Sequence, residues 1–241
     1  MGNLSVLLVG ELQRLRRYKI LTGGFIVSLL WVVTLHFFQT AYVASLFTIL
    51  LFVDIASMPA ILVAVGLLYE RSEGALRAML VTPIRHEEYI STKVIATVFS
   101  SLITLVVLYG YAHFLRGVAA NVLWLIVAVV LGSGFHALLG LSLTYRTKDF
   151  TGFLMRYMVY ALVAMIPTLL ERAGVIPNIV WQSALYLSPV RAVAVLFEAA
   201  MGGASLGNVV YSIVFLVVGV GVLYRRALVG FSSFAQGEGG V

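Results

Sequence analysis

The chain has 241 residues, of which 61% are hydrophobic and 11% charged, with a mean hydropathy of +1.04. Soluble domains carry about 25% charged residues, so this composition excludes a soluble globular protein; continuous apolar runs of about twenty residues also exclude a barrel, whose strands alternate. The net charge of +6 points to membrane orientation rather than nucleic acid, because the basic residues sit mainly at the ends of apolar runs, and the absence of cysteine excludes disulfides, thiolate metal sites and cysteine nucleophiles.

In chain order, Leu4 to Lys19 reads as an amphipathic helix. Leu4, Leu7, Leu8, Leu12 and Leu15 recur at helical spacing and Arg14, Arg16, Arg17 and Lys19 gather at its end, a pattern suited to lying on anionic headgroups. The alternative is a soluble basic flank. Span 1 follows at about Ile20 to Phe38, too long for the apolar core of a cleaved leader. Span 2 is about Tyr42 to Tyr69 and contains Asp54 and Pro59; span 3 is about Ile90 to Leu115, span 4 about Val118 to Tyr145 and span 5 about Phe150 to Leu170. Ala173 to Val190 is uncharged but broken by Pro177 and Pro189, and reads as one or two short helices dipping into the membrane. A helix from about Arg191 to Met201, ended by Gly202 and Gly203, leads to span 6 at about Leu206 to Tyr224, closed by Arg225 and Arg226 and a Gly-rich tail.

With six spans and the N-terminus inside, thirteen Lys and Arg face the cytoplasm and Arg116, Arg172 and Arg191 lie outside. This strong positive-inside bias puts both termini in the cytoplasm of a multi-pass inner or plasma membrane protein. It also puts Tyr69–Lys93, with four of the ten acids and four of the sixteen bases, on the cytoplasmic side. There Ser72 is placed to cap a short helix over 72–82, with Glu73 in its first turn. Ala75, Leu76, Met79 and Leu80 share one face, Arg77 points elsewhere, and Pro83 stops the helix. So short a helix is marginal in water, so its apolar face needs a partner, headgroups or a protein groove.

The pattern Glu70…Glu73-Gly74…Leu76…Leu80-x-Thr82-Pro83…Glu88-Tyr89…Lys93, directly after span 2, resembles the membrane subunit (permease) of type-2 ABC transporters. Ser188-Pro189-Val190, followed by Arg191 and by Leu196-Phe197-Glu198, resembles the proline-led segment those permeases carry before the last span; the usual Asn-Pro-Leu is replaced here by Ser-Pro-Val. The resemblance covers nearly the whole chain, and small drug exporters, including those for fluoroquinolones, look closest. It implies a single all-α permease domain over 1–241: an interfacial helix at 4–19, six spans, a coupling helix at 72–82 and short outer-side helices at 173–201. It also implies export of a drug, lipid or glycoconjugate by alternating access, with Glu70, Glu73, Gly74, Leu76, Arg77, Met79, Leu80, Thr82 and Pro83 meeting an ABC-type ATPase and Pro189, Arg191 and Glu198 forming an outer-side motif. A second permease, a copy or a paralogue, would complete the pathway.

The motor itself is not in this chain. Its lysines are Lys19, Lys93 and Lys148, none preceded by glycine, so there is no phosphate-cradling Gly-x-x-x-x-Gly-Lys loop and no cofactor is expected here; the resemblance then implies that ATP and Mg belong to a partner subunit. Asp54, the one acid deep in a span, is a candidate pathway residue that would bind a cationic substrate or relay protons; the structural alternative is a hydrogen-bonded Asp at a helix interface. His36, His113 and His136 lie on three spans without matching acids and make a poor metal set. Gly132, Ser133, Gly134, Ala137 and Gly140 read as a close-packing face, and Tyr109, Tyr111, Tyr157 and Tyr160 as either cavity-lining or lipid-facing. The competing classes are an ATP-independent carrier or channel, for which no internal repeat is seen, and an intramembrane enzyme, for which there is no His-Glu-x-x-His and no second acid beside Asp54.

Overall fold

A computed structural model describes residues 3–79, 82, 84–175 and 183–236, and everything regular among them is helical. The elements are α1 (Asn3–Arg17), α2 (Ile20–Phe37), α3 (Thr40–Ser72), α4 (Ala75–Met79), α5 (His86–Arg116), α6 (Val122–Thr144), α7 (Phe150–Arg172), α8 (Pro189–Ala200) and α9 (Leu206–Gln236). Six of them, α2, α3, α5, α6, α7 and α9, are long and apolar enough to cross a membrane. They alternate in direction, so the ends of α1, α3, α6 and α9 and the starts of α2, α5 and α7 share one end, called here the basic end. Tyr18 and Lys19 link α1 to α2, and Lys19 takes a left-handed φ of 57° that closes the turn tightly.

Helices α3 and α6 form the centre. Small residues on α6 let them touch through backbone: a Cβ on Gly140 would lie 2.6 Å from the Ala60 carbonyl oxygen, and one on Gly132 only 2.7 Å from Ile55. Of the small-residue face read from the sequence, Gly132 and Gly140 are therefore the seat of α3, whereas Gly134 faces Val98 of α5. Pro59 inside α3 withholds an N–H from the Ile55 carbonyl, and one residue further on the Tyr157 hydroxyl donates to the Ala56 carbonyl at 3.0 Å, tying α7 to the proline turn. In α7 a wide π turn at Ala161–Met165 precedes Pro167, relieving the clash a proline makes with the preceding turn. Helix α8 is buried on nearly every side, with Val190, Val193, Leu196 and Phe197 in the core shared with α3 and α6; Ser188 caps it and Pro189 sits in its first turn.

Several element ends differ from the sequence reading. Span 4 starts at Val122 rather than Val118, because the Asn121 side chain accepts from the N–H groups of Leu123 and Trp124 while Gly117, at φ 69°, ends α5. Span 2 runs to Ser72, so Ser72 finishes α3, its hydroxyl donating to the Tyr69 carbonyl, instead of capping the next helix; α4 is only five residues long. The largest difference is at the end of the chain: α9 continues past Arg225 and Arg226 to Gln236, because Ala227, Phe231, Phe234 and Ala235 form a buried stripe at helical spacing. Helix α8 starts at Pro189, and residues 176–182 of the expected dipping segment lie outside the described residues.

At about 1.5 Å per residue, α3, α5 and α9 are each roughly 46–50 Å long against a hydrocarbon core of about 30 Å. Their surplus stands at the basic end, where a second core joins Leu67 of α3, Leu76 of α4, Tyr89 and Ile90 of α5, Leu141 of α6 and Phe231 of α9.

Candidate functional site

The basic end is built around a buried cluster of charge. Glu70 of α3 is 1% exposed and Lys93 of α5 3% exposed. Lys93 Nζ donates to Glu70 Oε1, and at 2.7 Å to Glu11 Oε1 of α1; Arg14 of α1 donates to Glu70 at 2.6 Å, and the Tyr89 hydroxyl donates to the other Glu70 oxygen. Two carboxylates and two cations from three helices thus satisfy one another, with Glu11, Glu70 and Lys93 out of reach of water and Arg14 at the edge. A cluster of this kind is strained by loss of any single member far more than it is stabilised by the set as a whole. Burial by itself would lower the Arg14 pKa, but the Glu70 and Glu11 carboxylates outweigh it and hold the guanidinium above its usual value. At the rim, Tyr18 donates to Glu73 and its ring stacks on Tyr69 at 5.1 Å; burial together with that bond pushes its hydroxyl up to about 12. The effect is to tie α1 to the ends of α3 and α5 as one body.

Helix α4 hangs from this body. Gly74, at φ +73°, is the left-handed link that turns the chain out of α3. Leu76 is 2% exposed and Met79 half-buried, both against the core of Tyr89 and Phe231, so these two residues of the apolar face expected to wait for a partner are covered by the chain's own α5 and α9, whereas Ala75, expected on the same face, is exposed. The face left in water carries Ser72, Glu73, Ala75, Arg77 and Ala78. Thr82 closes the turn after α4, its hydroxyl donating to the Met79 carbonyl at 2.8 Å. Of the residues expected to meet an ATPase, Arg77 and Glu73 are exposed, Glu70 and Leu76 are interior, and Leu80 and Pro83 lie outside the described residues. Arg71 reaches across to the Thr147 carbonyl and lies over the Phe234 ring, so the 146–149 turn and the end of α9 belong to the same surface.

At the opposite end the three basic residues are all engaged. Arg191 pairs with Glu171 at 2.9 Å and lies 3.8 Å from the centre of the Tyr186 ring; Arg172 pairs with Glu198 at 2.8 Å; Arg116 donates to the carbonyls of His36 and Phe38. Arg191 and Glu198 of the proline-led segment therefore clamp α8 to the end of α7. Asp54 lies between α2, α3 and α5 with one oxygen accepting from Trp31 Nε1 at 3.1 Å. The histidines are dispersed among Tyr111, the Val118 carbonyl and Tyr160, and no metal-holding group occurs among the described residues. The four tyrosines also part company, Tyr109 and Tyr111 near the far end of α5 and Tyr157 and Tyr160 on α7.

Two features went unread in the sequence. Glu11 was hidden in a helix seen as leucine and arginine, although a lone acid three residues before Arg14 on an otherwise basic helix was the available signal. Gly203-Ala204-Ser205-Leu206-Gly207 has the spacing of a hydrolase nucleophile elbow, which requires a strand before it. Here a helix precedes it, and the exposed Ser205 hydroxyl caps α9 through the Asn208 N–H at 3.4 Å.

Residues 3–236 match the model of the fluoroquinolones export permease protein family. The chain is similar to the fluoroquinolones export permease proteins of two Mycobacterium tuberculosis strains, CDC 1551 / Oshkosh and ATCC 25618 / H37Rv. It is 27% identical to each over 190 residues, covering 78% of this chain and 77% of the relative. No solved structure matches the chain.

Proposed function

Since this chain belongs to the fluoroquinolones export permease protein family, we propose that it is the membrane subunit of an ATP-driven exporter that moves a hydrophobic or amphipathic drug-like molecule out of the cytoplasm. The cargo class is taken from the names of its relatives. ATP and Mg reside on a separate ABC-type ATPase, and two permeases, copies or paralogues, enclose the pathway. The basic end faces the cytoplasm, in keeping with the positive-inside bias.

The observation that carries the reading is the full-length family match, and the geometry of the basic end gives it a mechanism. The ATPase holds α4 by its water-facing side, Ala75, Arg77 and Ala78, and by Glu73 beside it. Leu76 passes displacement into α5 and α9, the Gly74 link passes it into α3, and the Lys93–Glu70–Glu11 cluster carries α1 along. Spans 2, 3 and 6 then tilt together, and access to the cavity between the permeases alternates.

The test is transport in proteoliposomes holding this chain with its ATPase. Arg77→Glu should leave folding intact, because Arg77 is exposed, and should lower ATP-dependent efflux at least tenfold. Unchanged efflux would sink the coupling role of α4. Efflux that persists with no ATPase or nucleotide would establish the ATP-independent carrier instead.

A further inference from the structure

Between α2, α3 and α5 lies a cavity of about 380 Å³, within the range of small-molecule sites. It reaches from Arg16, near the end of α1, to Asp54 in the middle of α3. Its inner end is polar: Asp54 is 2% exposed, and the Ser28 and Thr104 hydroxyls, bonded to each other at 3.0 Å, stand beside it on the lining. Ser28 is about 12 Å along α2 from its basic end, so this polarity lies inside the membrane. The walls are apolar, with Phe25, Met58 and Ile103 among them. Phe25 and Ile103 also show on the outer surface of the bundle, 48% and 39% exposed, so the cavity opens sideways toward lipid rather than into the packed core.

The carboxylate is the unusual part. One oxygen of Asp54 accepts from Trp31; no described residue donates to the other, and no ion pair among the described residues includes Asp54. An acid kept at this depth is costly unless something pairs with it. A pocket with apolar walls, hydroxyl acceptors and one free carboxylate oxygen matches an ammonium group on an apolar frame. We propose that this cavity binds the protonated amine of an amphipathic molecule that enters from the inner leaflet, with Asp54 as the counter-charge and Ser28 and Thr104 as further acceptors. This names the substrate class of the exporter proposed above and rests on that reading for its role in transport. Binding itself requires neither ATP nor the ATPase.

The experiment uses the full chain in nanodiscs of zwitterionic lipid, without ATPase, and follows the fluorescence anisotropy of two probes, with empty nanodiscs subtracted. One probe is a piperazinyl fluoroquinolone, which carries an ammonium; the other is its N-acetylpiperazine derivative, with the same rings and no ammonium. The wild-type chain should bind the first at least tenfold more tightly. Asp54→Asn, which keeps an oxygen for Trp31, should abolish the preference, and Asp54→Glu should retain it. Equal affinities in the wild type, a preference that survives Asp54→Asn, or an equal loss for both probes in Asp54→Asn would each overturn the proposal. If Asp54→Asn does not fold, Met58→Trp, which fills the cavity, decides: amine binding should fall at least tenfold, and unchanged binding overturns the site. Loss of efflux in Arg77→Glu with amine binding preserved separates a fault in coupling from a fault in this site.

Discussion

Lys93 shows how one side chain can organise a region. It holds two buried carboxylates from helices far apart in the chain, so Lys93→Met leaves Glu11 and Glu70 buried with the part-exposed Arg14 as their one remaining cation and should cost up to about 3–5 kcal/mol. Thermal unfolding in detergent measures this; adding Glu70→Gln to Lys93→Met should recover part of the loss, and an additive pair would show that the two do not share an environment. Arg14 is one-third exposed, and removing it should matter less. Gly140 is the second sensitive position. Its added Cβ meets backbone, which cannot swing aside, so Gly140→Ala should destabilise by about 1–3 kcal/mol. Gly110→Ala, with nothing within 4 Å and a helical position, should be neutral or slightly stabilising in the same melt. The charge of Glu70 was plain in the sequence, yet its place was not: nothing local says that its partners are Arg14 and Lys93 rather than an incoming protein.

For the elements, the six spans were legible because an apolar run of about twenty residues has few other uses. Their ends were not, since hydropathy is blind to caps and to stripes. Asn121 stops an apolar run by hydrogen bonding, and α9 extends through a mixed sequence in which only every third or fourth residue is buried. The same applies to α4: the face shared by Leu76 and Met79 was legible, whereas what covers it depended on the unread end of α9. A chain ending at Arg226 should therefore still insert. It loses Phe231 and Phe234, each worth about 1.5–3 kcal/mol of burial, and uncovers Leu76 and Tyr89. Limited proteolysis should then cut within 72–85 much faster than in the full chain; equal rates would mean that α9 does not brace α4.

For the whole molecule, the orientation inferred from charge can be read directly because the chain has no cysteine of its own. Single cysteines at the exposed positions Lys148 and Gly203 should react with a membrane-impermeant maleimide from opposite sides, Lys148→Cys only after the membrane is opened. Labelling of both from outside would reject the topology. The bundle's outer surface, formed largely by α2, α7 and α9, is broadly apolar, as lipid or a second permease requires. Its centre has a different consequence, one for biogenesis. Ala60 of α3 is seated on Gly140 of α6, about 80 residues further along the chain. At about 5–20 residues per second, α3 leaves the ribosome several seconds before its seat exists. The nascent protein therefore cannot be finished helix by helix. A ribosome-stalled chain ending after α5 should be inserted yet protease-sensitive, and resistance should appear in one step once α6 has emerged.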